Sequence, residues 1–166
     1  MLFNSHFFIF VFLPLTLLIF FVLGKKNNRL AAGWLTISSL IFYGFWNPAH
    51  VLLLMCSIAF NFIIGRNIAL KISQQQSLIA KNWLLFGIIF DLLLLTYFKY
   101  LGFFITNINS LSDAVLSVPD IALPLGVSFF TFTQIAFLVD CYKGYVREYR
   151  AVHYALFVTY FPHLLA

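Results

Sequence analysis

Long apolar stretches separated by short polar ones dominate this sequence. Stretches such as Phe7–Leu13 and Val51–Met55 show no alternation of apolar and polar residues, so helices are favoured over the strands of a membrane barrel. A helix rises about 1.5 Å per residue, and about 20 apolar residues therefore cross a hydrocarbon core of about 30 Å. The pattern predicts five membrane-spanning helices: Phe7–Leu23, Leu30–Trp46, Asn47–Ile64, Trp83–Tyr100 and Ile121–Tyr142.

A sixth apolar stretch, Val152–Ala166, is too short to cross a bilayer. The predicted fold is therefore all-α and polytopic, and residues 1–166 form one transmembrane part without a soluble second domain. We expect the protein to continue beyond Ala166, because an incomplete membrane helix would leave its last carbonyl groups without partners. Pro14 is expected to kink the first span.

The composition supports this class. The chain is 63% hydrophobic and only 9% charged, against about 25% charged residues in soluble domains, so lipid must solvate most of its surface. The net charge of +5 does not indicate nucleic-acid binding, because the basic residues lie in short gaps between apolar stretches. Nine of the ten basic residues fall on one side if the N-terminus lies outside, and only Lys99 lies near the outer face, which predicts that orientation.

Two connecting segments carry mixed patterns. Arg66–Asn82 combines isoleucine and leucine with lysine and glutamine, and either an amphipathic helix on the membrane surface or a plain loop would fit. Thr106–Asp120 is polar and is predicted to be an outer loop.

Asp91 lies near the middle of the predicted fourth span. A carboxylate at that depth costs about 2.5–3.5 kcal/mol on insertion scales, so it should face protein or a water-filled cavity. Two interpretations stay open: Asp91 borders a substrate or proton path, or it is a protonated or hydrogen-bonded packing residue.

The predicted fifth span is unusually polar. Gly126, Thr133 and Asp140 recur at intervals of seven residues and fall within about 40° of each other on a helix. Ser128, Thr131 and Gln134 occupy a neighbouring face. A helix with polar groups on two faces should be central, with those faces against other helices or a tunnel. Helix–helix hydrogen bonding without a ligand is the alternative for each residue.

No constellation in the sequence predicts a metal site or an enzyme's catalytic group. Cys56 and Cys141 lie in or beside apolar stretches without metal-binding spacing. Three histidines lie at predicted membrane borders: His6, His50 and His153. Only His163 is expected to be buried.

Six segments, in this order, resemble the bacterial membrane-bound O-acyltransferase family, in the branch of the alginate O-acetylases. The most specific segment is Leu123–Asp140 with Tyr142. One position outside these segments departs from the family: Asp91 stands where asparagine is expected. The other segments are Met1–Leu17, Phe42–Pro48, Phe60–Gly65, Tyr97–Tyr100 and Tyr154–Ala166.

The resemblance implies the N-terminal part of a multi-pass enzyme of the bacterial cytoplasmic membrane. Such enzymes pass an acyl group, typically acetyl, through a polar tunnel to hydroxyls of an exported polysaccharide or envelope polymer. Asp91, Thr133 and Gln134 are the predicted tunnel-wall residues. In the family, a histidine is expected to act as general base on the acceptor hydroxyl, and this histidine is expected beyond this chain. No catalytic role is therefore given to His163, and the 166 residues alone are expected to be inactive.

The resemblance further implies acetyl-CoA or a carrier-linked acyl group as donor, with no resident cofactor. The implied partners are membrane lipid, the polysaccharide acceptor and periplasmic or cytoplasmic acyl-transfer proteins, and not nucleic acid. Two other classes fit the residues: a transporter or channel subunit in which Asp91 lines a permeation path, and a membrane scaffold without enzymatic activity.

Overall fold

The computed structural model describes residues 5–45, 47–111, 117, 122–146 and 150–160. Helices account for 87% of these residues, and no strand occurs among them. The α-helices are α1 (Leu13–Lys26), α2 (Asn28–Gly44), α3 (Pro48–Ser73), α4 (Ser77–Leu95), α5 (Leu101–Leu111), α6 (Val127–Lys143) and α7 (Ala151–Thr159). Two π-helical segments occur among these residues. Phe8–Phe12 directly precedes α1, and Thr96–Tyr100 connects α4 to α5. The predicted all-α class is confirmed.

Within the part of the chain that the structure describes, three helical segments are long and apolar enough to cross a membrane: Phe8–Lys26, Pro48–Ser73 and Ser77–Leu111. They contain the whole of the predicted fourth span and all but the first residue of the predicted first and third spans. The helices α2 and α6, of 17 residues each, coincide with the second span and with most of the fifth. The number of spans and the orientation of the N-terminus stay predictions.

Of the two alternatives for Arg66–Asn82, the plain loop is wrong, because α3 continues to Ser73 and α4 begins at Ser77. The turn Gln74–Gln76 is closed by two bonds to the end of α3: Gln75 N–H to Ile72 O (3.0 Å) and Gln76 N–H to Lys71 O (2.9 Å). These bonds place Gln75 in the left-handed region, with φ 59°, where helix ends usually carry glycine.

Gln75→Gly is therefore expected to raise the free energy of unfolding by about 0.5–1 kcal/mol, because it removes the strain of a side chain in this conformation. Thermal unfolding in detergent micelles measures the effect. The matched control is Gln74→Gly, at a neighbouring residue that does not have positive φ, which should bring no gain. A lower melting temperature for Gln75→Gly than for the parent chain would contradict this account.

The outer loop predicted at Thr106–Asp120 is helical in its first part, up to Leu111. The polar side chains in that part bond to carbonyls one turn back: Thr106 to Gly102, Asn107 to Phe103 and Ser110 to Thr106, at 2.7–2.9 Å. Because the side chains of these residues find hydrogen-bond partners within their own helix, the polar pattern is compatible with a helix as well as with a loop. Residues 112–116 and 118–120 of the predicted loop lie outside the described residues.

The chain divides into two compact units: Met1–Ile63 with Arg147–Ala166, and Ile64–Val146. In the first, α2 packs against α1 and α7, and Trp34 Nε1–H donates to the Thr16 carbonyl at 3.1 Å. Phe8 and Phe42 form a small buried cluster. The π-helical turn Phe8–Phe12 stands directly before the proline-containing start of α1, where a kink at Pro14 was predicted.

In the second unit, α4 packs against α6, and the last part of α3 lies against both. Ile64 and Ile68 are buried there, four residues apart on one face of α3. The helix α6 ends in a glycine-capped turn: Gly144 has φ 73° and its N–H reaches Cys141 O (3.2 Å), while Tyr145 N–H reaches Asp140 O (2.9 Å). That motif closes the carbonyl end of α6 and fixes its length.

Candidate functional site

All three predicted tunnel-wall residues lie in the second unit, on the two helices that pack against each other there. Asp91 is on α4 and is 1% exposed, and Thr133 and Gln134 are on α6 and are 7% and 0% exposed. Burial of these side chains agrees with the expectation that they face protein and not lipid. The contacts around them decide whether they form one site.

Two contacts set the register between α4 and α6. Leu138 lies over Gly87. Twelve residues further on, in the π-helical segment that continues α4, Lys99 Nζ donates to Ser128 Oγ at 3.0 Å. Residue numbers rise along α4 as they fall along α6, so the helices are antiparallel. One turn from Gly87 toward Lys99 is Asp91, and one turn from Leu138 toward Ser128 is Gln134. The register therefore places Asp91 level with Gln134, on the facing sides of the two helices.

Two glycines allow α6 to approach its neighbours closely. A Cβ at Gly87 would lie 2.5 Å from Leu138 Cδ1 and 3.2 Å from Ile64 Cγ2. A Cβ at Gly65, on α3, would collide with the Phe137 ring and lie 3.1 Å from Cys141 Sγ. Small residues at helix contacts are the usual means of close packing in membranes. Sequence reasoning passed over both glycines, although Gly87 precedes Asp91 by one helical turn and marks the same face.

Asp91 and Gln134 with Thr131 are called the buried polar layer here. Thr131 is three residues before Gln134, on the same face of α6, and is 2% exposed. Its hydroxyl has no hydrogen-bond partner among the described residues. A buried hydroxyl without a partner costs about 1–3 kcal/mol in proteins, so Thr131 is a stronger candidate for contact with a ligand than its place in the sequence indicated.

Thr133 occupies a different position. Its hydroxyl donates to the Phe130 carbonyl of its own helix at 2.9 Å, which occupies the one proton that the side chain can give. The predicted stripe also fails at its ends, because Gly126 precedes α6 in a left-handed conformation and Asp140 is exposed. The polar side chains of α6 are therefore divided between a layer around Gln134 and a self-satisfied threonine.

The two threonines give a paired prediction. Thr131→Val, which removes a hydroxyl without a partner, is expected to leave the free energy of unfolding unchanged or to raise it by about 1 kcal/mol. Thr133→Val removes a formed hydrogen bond and is expected to lower it by about 0.5–1 kcal/mol. Thermal unfolding of both variants under one condition measures the difference. Equal destabilisation by the two substitutions would contradict the assignment.

Lys99 closes one end of the α4–α6 pair. It lies in the π-helical segment Thr96–Tyr100, donates to Ser128 and has its ammonium 5.6 Å from the centre of the Tyr100 ring. Lys99 and Ser128 are exposed, so the bond joins the helix ends at the unit's surface. From the sequence, Lys99 was notable only as the basic residue on the other side of the membrane.

The described residues bring no catalytic set together. No group of three or more His, Cys, Asp or Glu side chains that could hold a metal ion occurs among them. His50 is buried at the start of α3 in the first unit, His153 is half-buried on α7, and His163 lies outside the described residues. Among the residues that the structure describes, the layer offers polar contacts and contains no histidine.

The chain is similar over its whole length to bacterial O-acetylases. It is 38% identical to the peptidoglycan O-acetyltransferase of Helicobacter pylori. It is 34% identical to the probable alginate O-acetylases AlgI of Pseudomonas aeruginosa and Azotobacter vinelandii. All of this chain is matched each time, against 36%, 32% and 33% of the respective relative, so the chain spans about a third of their length. No family model and no solved structure matches it.

Proposed function

The chain belongs to the bacterial membrane-bound O-acyltransferase family, and we propose that it is part of an enzyme that transfers acetyl groups to hydroxyls of peptidoglycan, alginate or a similar polymer. The observation that carries the proposal is the similarity to named acetylases along the entire chain. It covers α4 and α6, so the helices that hold the buried polar layer have counterparts in those enzymes.

The buried polar layer is proposed to line the path of the acyl group or of the acceptor hydroxyl. Asp91 and Gln134 lie level with each other on facing helices, while the lipid-side residues of α4 are apolar and exposed, among them Phe86 and Leu93. Polar side chains inside a membrane bundle are costly and usually border a substrate or ion path. The proposal gives these residues contact with substrate and no proton transfer.

The base is proposed to lie in the part of the relatives that this chain does not span. Activation of a hydroxyl for acyl transfer needs a general base within hydrogen-bond reach, and the described residues of the second unit include no histidine. The 166 residues purified alone are therefore expected to transfer no acetyl group. Transfer of labelled acetate to an acceptor by the purified chain would contradict this.

The donor is proposed to be acetyl-CoA or a carrier-linked acyl group, and the location the bacterial inner membrane. Acyl-transfer proteins on either side of the membrane are the proposed partners, and no resident cofactor is invoked. Membrane vesicles that contain a chimera, in which this chain replaces the matching segment of the Helicobacter pylori relative, test the donor. Labelled acetyl-CoA should yield labelled acceptor; no labelling with either donor, from a chimera that is folded and inserted, would overturn the proposal.

A further inference from the structure

Two neighbouring depressions on the first unit differ in character. One, of about 300 Å³, is lined by Arg29 and Arg150 together with Ala151, Val152 and His153. The other, of about 370 Å³, is almost wholly apolar and runs between α3 and α7. Both include Ala151, so they meet at the start of α7. They are called the basic pocket and the apolar groove below.

The basic pocket gathers positive charge from two helix beginnings. Arg29 is in the first turn of α2, and Arg150 is the residue before α7. Both arginines are exposed, and Lys25 and Lys26 lie in the last turn of α1, at the same end of the unit because α1 and α2 are joined at Asn27. Arginine binds phosphate oxygens in a bidentate manner. The pocket therefore suits a phosphate group.

The apolar groove leads away from this charged end along α3. Its lining residues on α3 extend from Ile63 back to Met55, which is about 12 Å of helix at 1.5 Å per residue, and include Ile58, Ala59 and Phe62. On α7 it is bordered by Ala151, Ala155 and Tyr154, and the Tyr154 ring stacks on Phe62 at 5.9 Å. Small residues on both sides, Ala59 and Ala155, keep the groove open enough for an alkyl chain.

We propose that these two depressions together bind one anionic phospholipid, with its phosphodiester between Arg29 and Arg150 and one acyl chain in the apolar groove. The pairing of a basic pocket with an apolar groove of this length matches the two ends of such a molecule. Basic residues at a membrane border attract anionic lipid by about 1 kcal/mol each. The site lies in the first unit, so it is independent of the acetyl-transfer proposal.

The test is lipid retention by the full chain in detergent, measured by native mass spectrometry after incubation with phosphatidylglycerol. The double variant Arg29→Ala/Arg150→Ala is expected to retain phosphatidylglycerol about tenfold less, roughly 1.4 kcal/mol per site occupied. The matched control, Lys25→Ala/Lys26→Ala, removes the same charge at the same end outside the pocket and should change retention less than twofold. Equal loss in both variants would overturn the site in favour of general charge attraction.

The groove is tested separately with Ala59→Phe, which fills it and leaves both arginines in place. The control is Leu52→Phe, an exposed residue of α3 that lies two turns before Ala59 and does not line the groove. Ala59→Phe should lower phosphatidylglycerol retention several-fold, and Leu52→Phe should not. If glycerol phosphate, which has no acyl chain, displaces the lipid at equal concentration, the groove takes no part and the lipid proposal is wrong. Retention of phosphatidylcholine equal to that of phosphatidylglycerol would also overturn it.

Discussion

Replacing Gly87 with leucine is expected to be the most damaging single change in the second unit. Even a single Cβ at this position would lie 2.5 Å from Leu138 Cδ1 and 3.2 Å from Ile64 Cγ2, and Leu138 is fully buried. The larger side chain must push α6 away from α4. Over-packing of this kind costs about 1–3 kcal/mol, so we expect a loss near 3 kcal/mol and a much lower melting temperature.

A graded series separates crowding from helix propensity. Gly87→Ala should destabilise the protein by about 1 kcal/mol or more, whereas alanine normally favours a helix over glycine by about 0.5–1 kcal/mol. Gly24→Ala is the matched control, because a Cβ there would lie at an ordinary 3.9 Å from its nearest neighbour, Ala31 Cβ. This variant should be neutral or stabilising. Equal melting temperatures for Gly87→Ala and Gly24→Ala would show that the close packing of α4 and α6 is not as described.

Asp91→Leu is expected to lower acetyl transfer by about tenfold or more, a barrier increase of about 1.4 kcal/mol, in a chimera that carries this chain. Asp91 lies in the buried polar layer level with Gln134, and a leucine would replace polar surface along the proposed path. The substitution also removes a buried polar group level with Gln134, which costs about 1–3 kcal/mol of stability, so transfer is compared per folded and inserted chimera. A residue that only packs would show no loss of transfer.

Two further variants sharpen this test. Asp91→Asn keeps the size and hydrogen-bonding capacity of the side chain and should retain most of the transfer. Asp140→Leu is the same substitution at an exposed aspartate of α6 and should leave transfer unchanged. If Asp91→Leu and Asp140→Leu lose transfer equally, charge and not the buried layer is responsible, and the assignment of Asp91 to the path is wrong.

Much of the fold follows from the apolar pattern, because helix length and lipid thickness constrain each other. Helix ends were less predictable. The sequence offers glutamines at Gln74–Gln76 where a glycine would have marked the end of α3, and the turn forms through Gln75 in an unfavourable conformation. Likewise Thr106 and Ser110 look like loop residues but bond to their own helix. Hydropathy does not show where a polar side chain finds its partner.

The candidate site was predictable only in part. Asp91 and Gln134 were singled out because polar groups inside a membrane segment are costly, and the structure buries both. Their common level depends on the α4–α6 register, which Gly87 and Lys99 set through contacts far apart in sequence. Thr131 and Thr133 could not be ranked from spacing, because the difference between them is one intrahelical hydrogen bond.

The most direct test of the central claim is the amount of ester-linked acetate on the cell-wall polymer of living cells. A Helicobacter pylori strain without its own peptidoglycan O-acetyltransferase would express the chimera, in which this chain replaces the matching segment of that enzyme. The account predicts acetate per disaccharide well above the deletion strain for the parent chimera and near it for Asp91→Leu. Acetate at the deletion level with a stable, membrane-inserted parent chimera would contradict it.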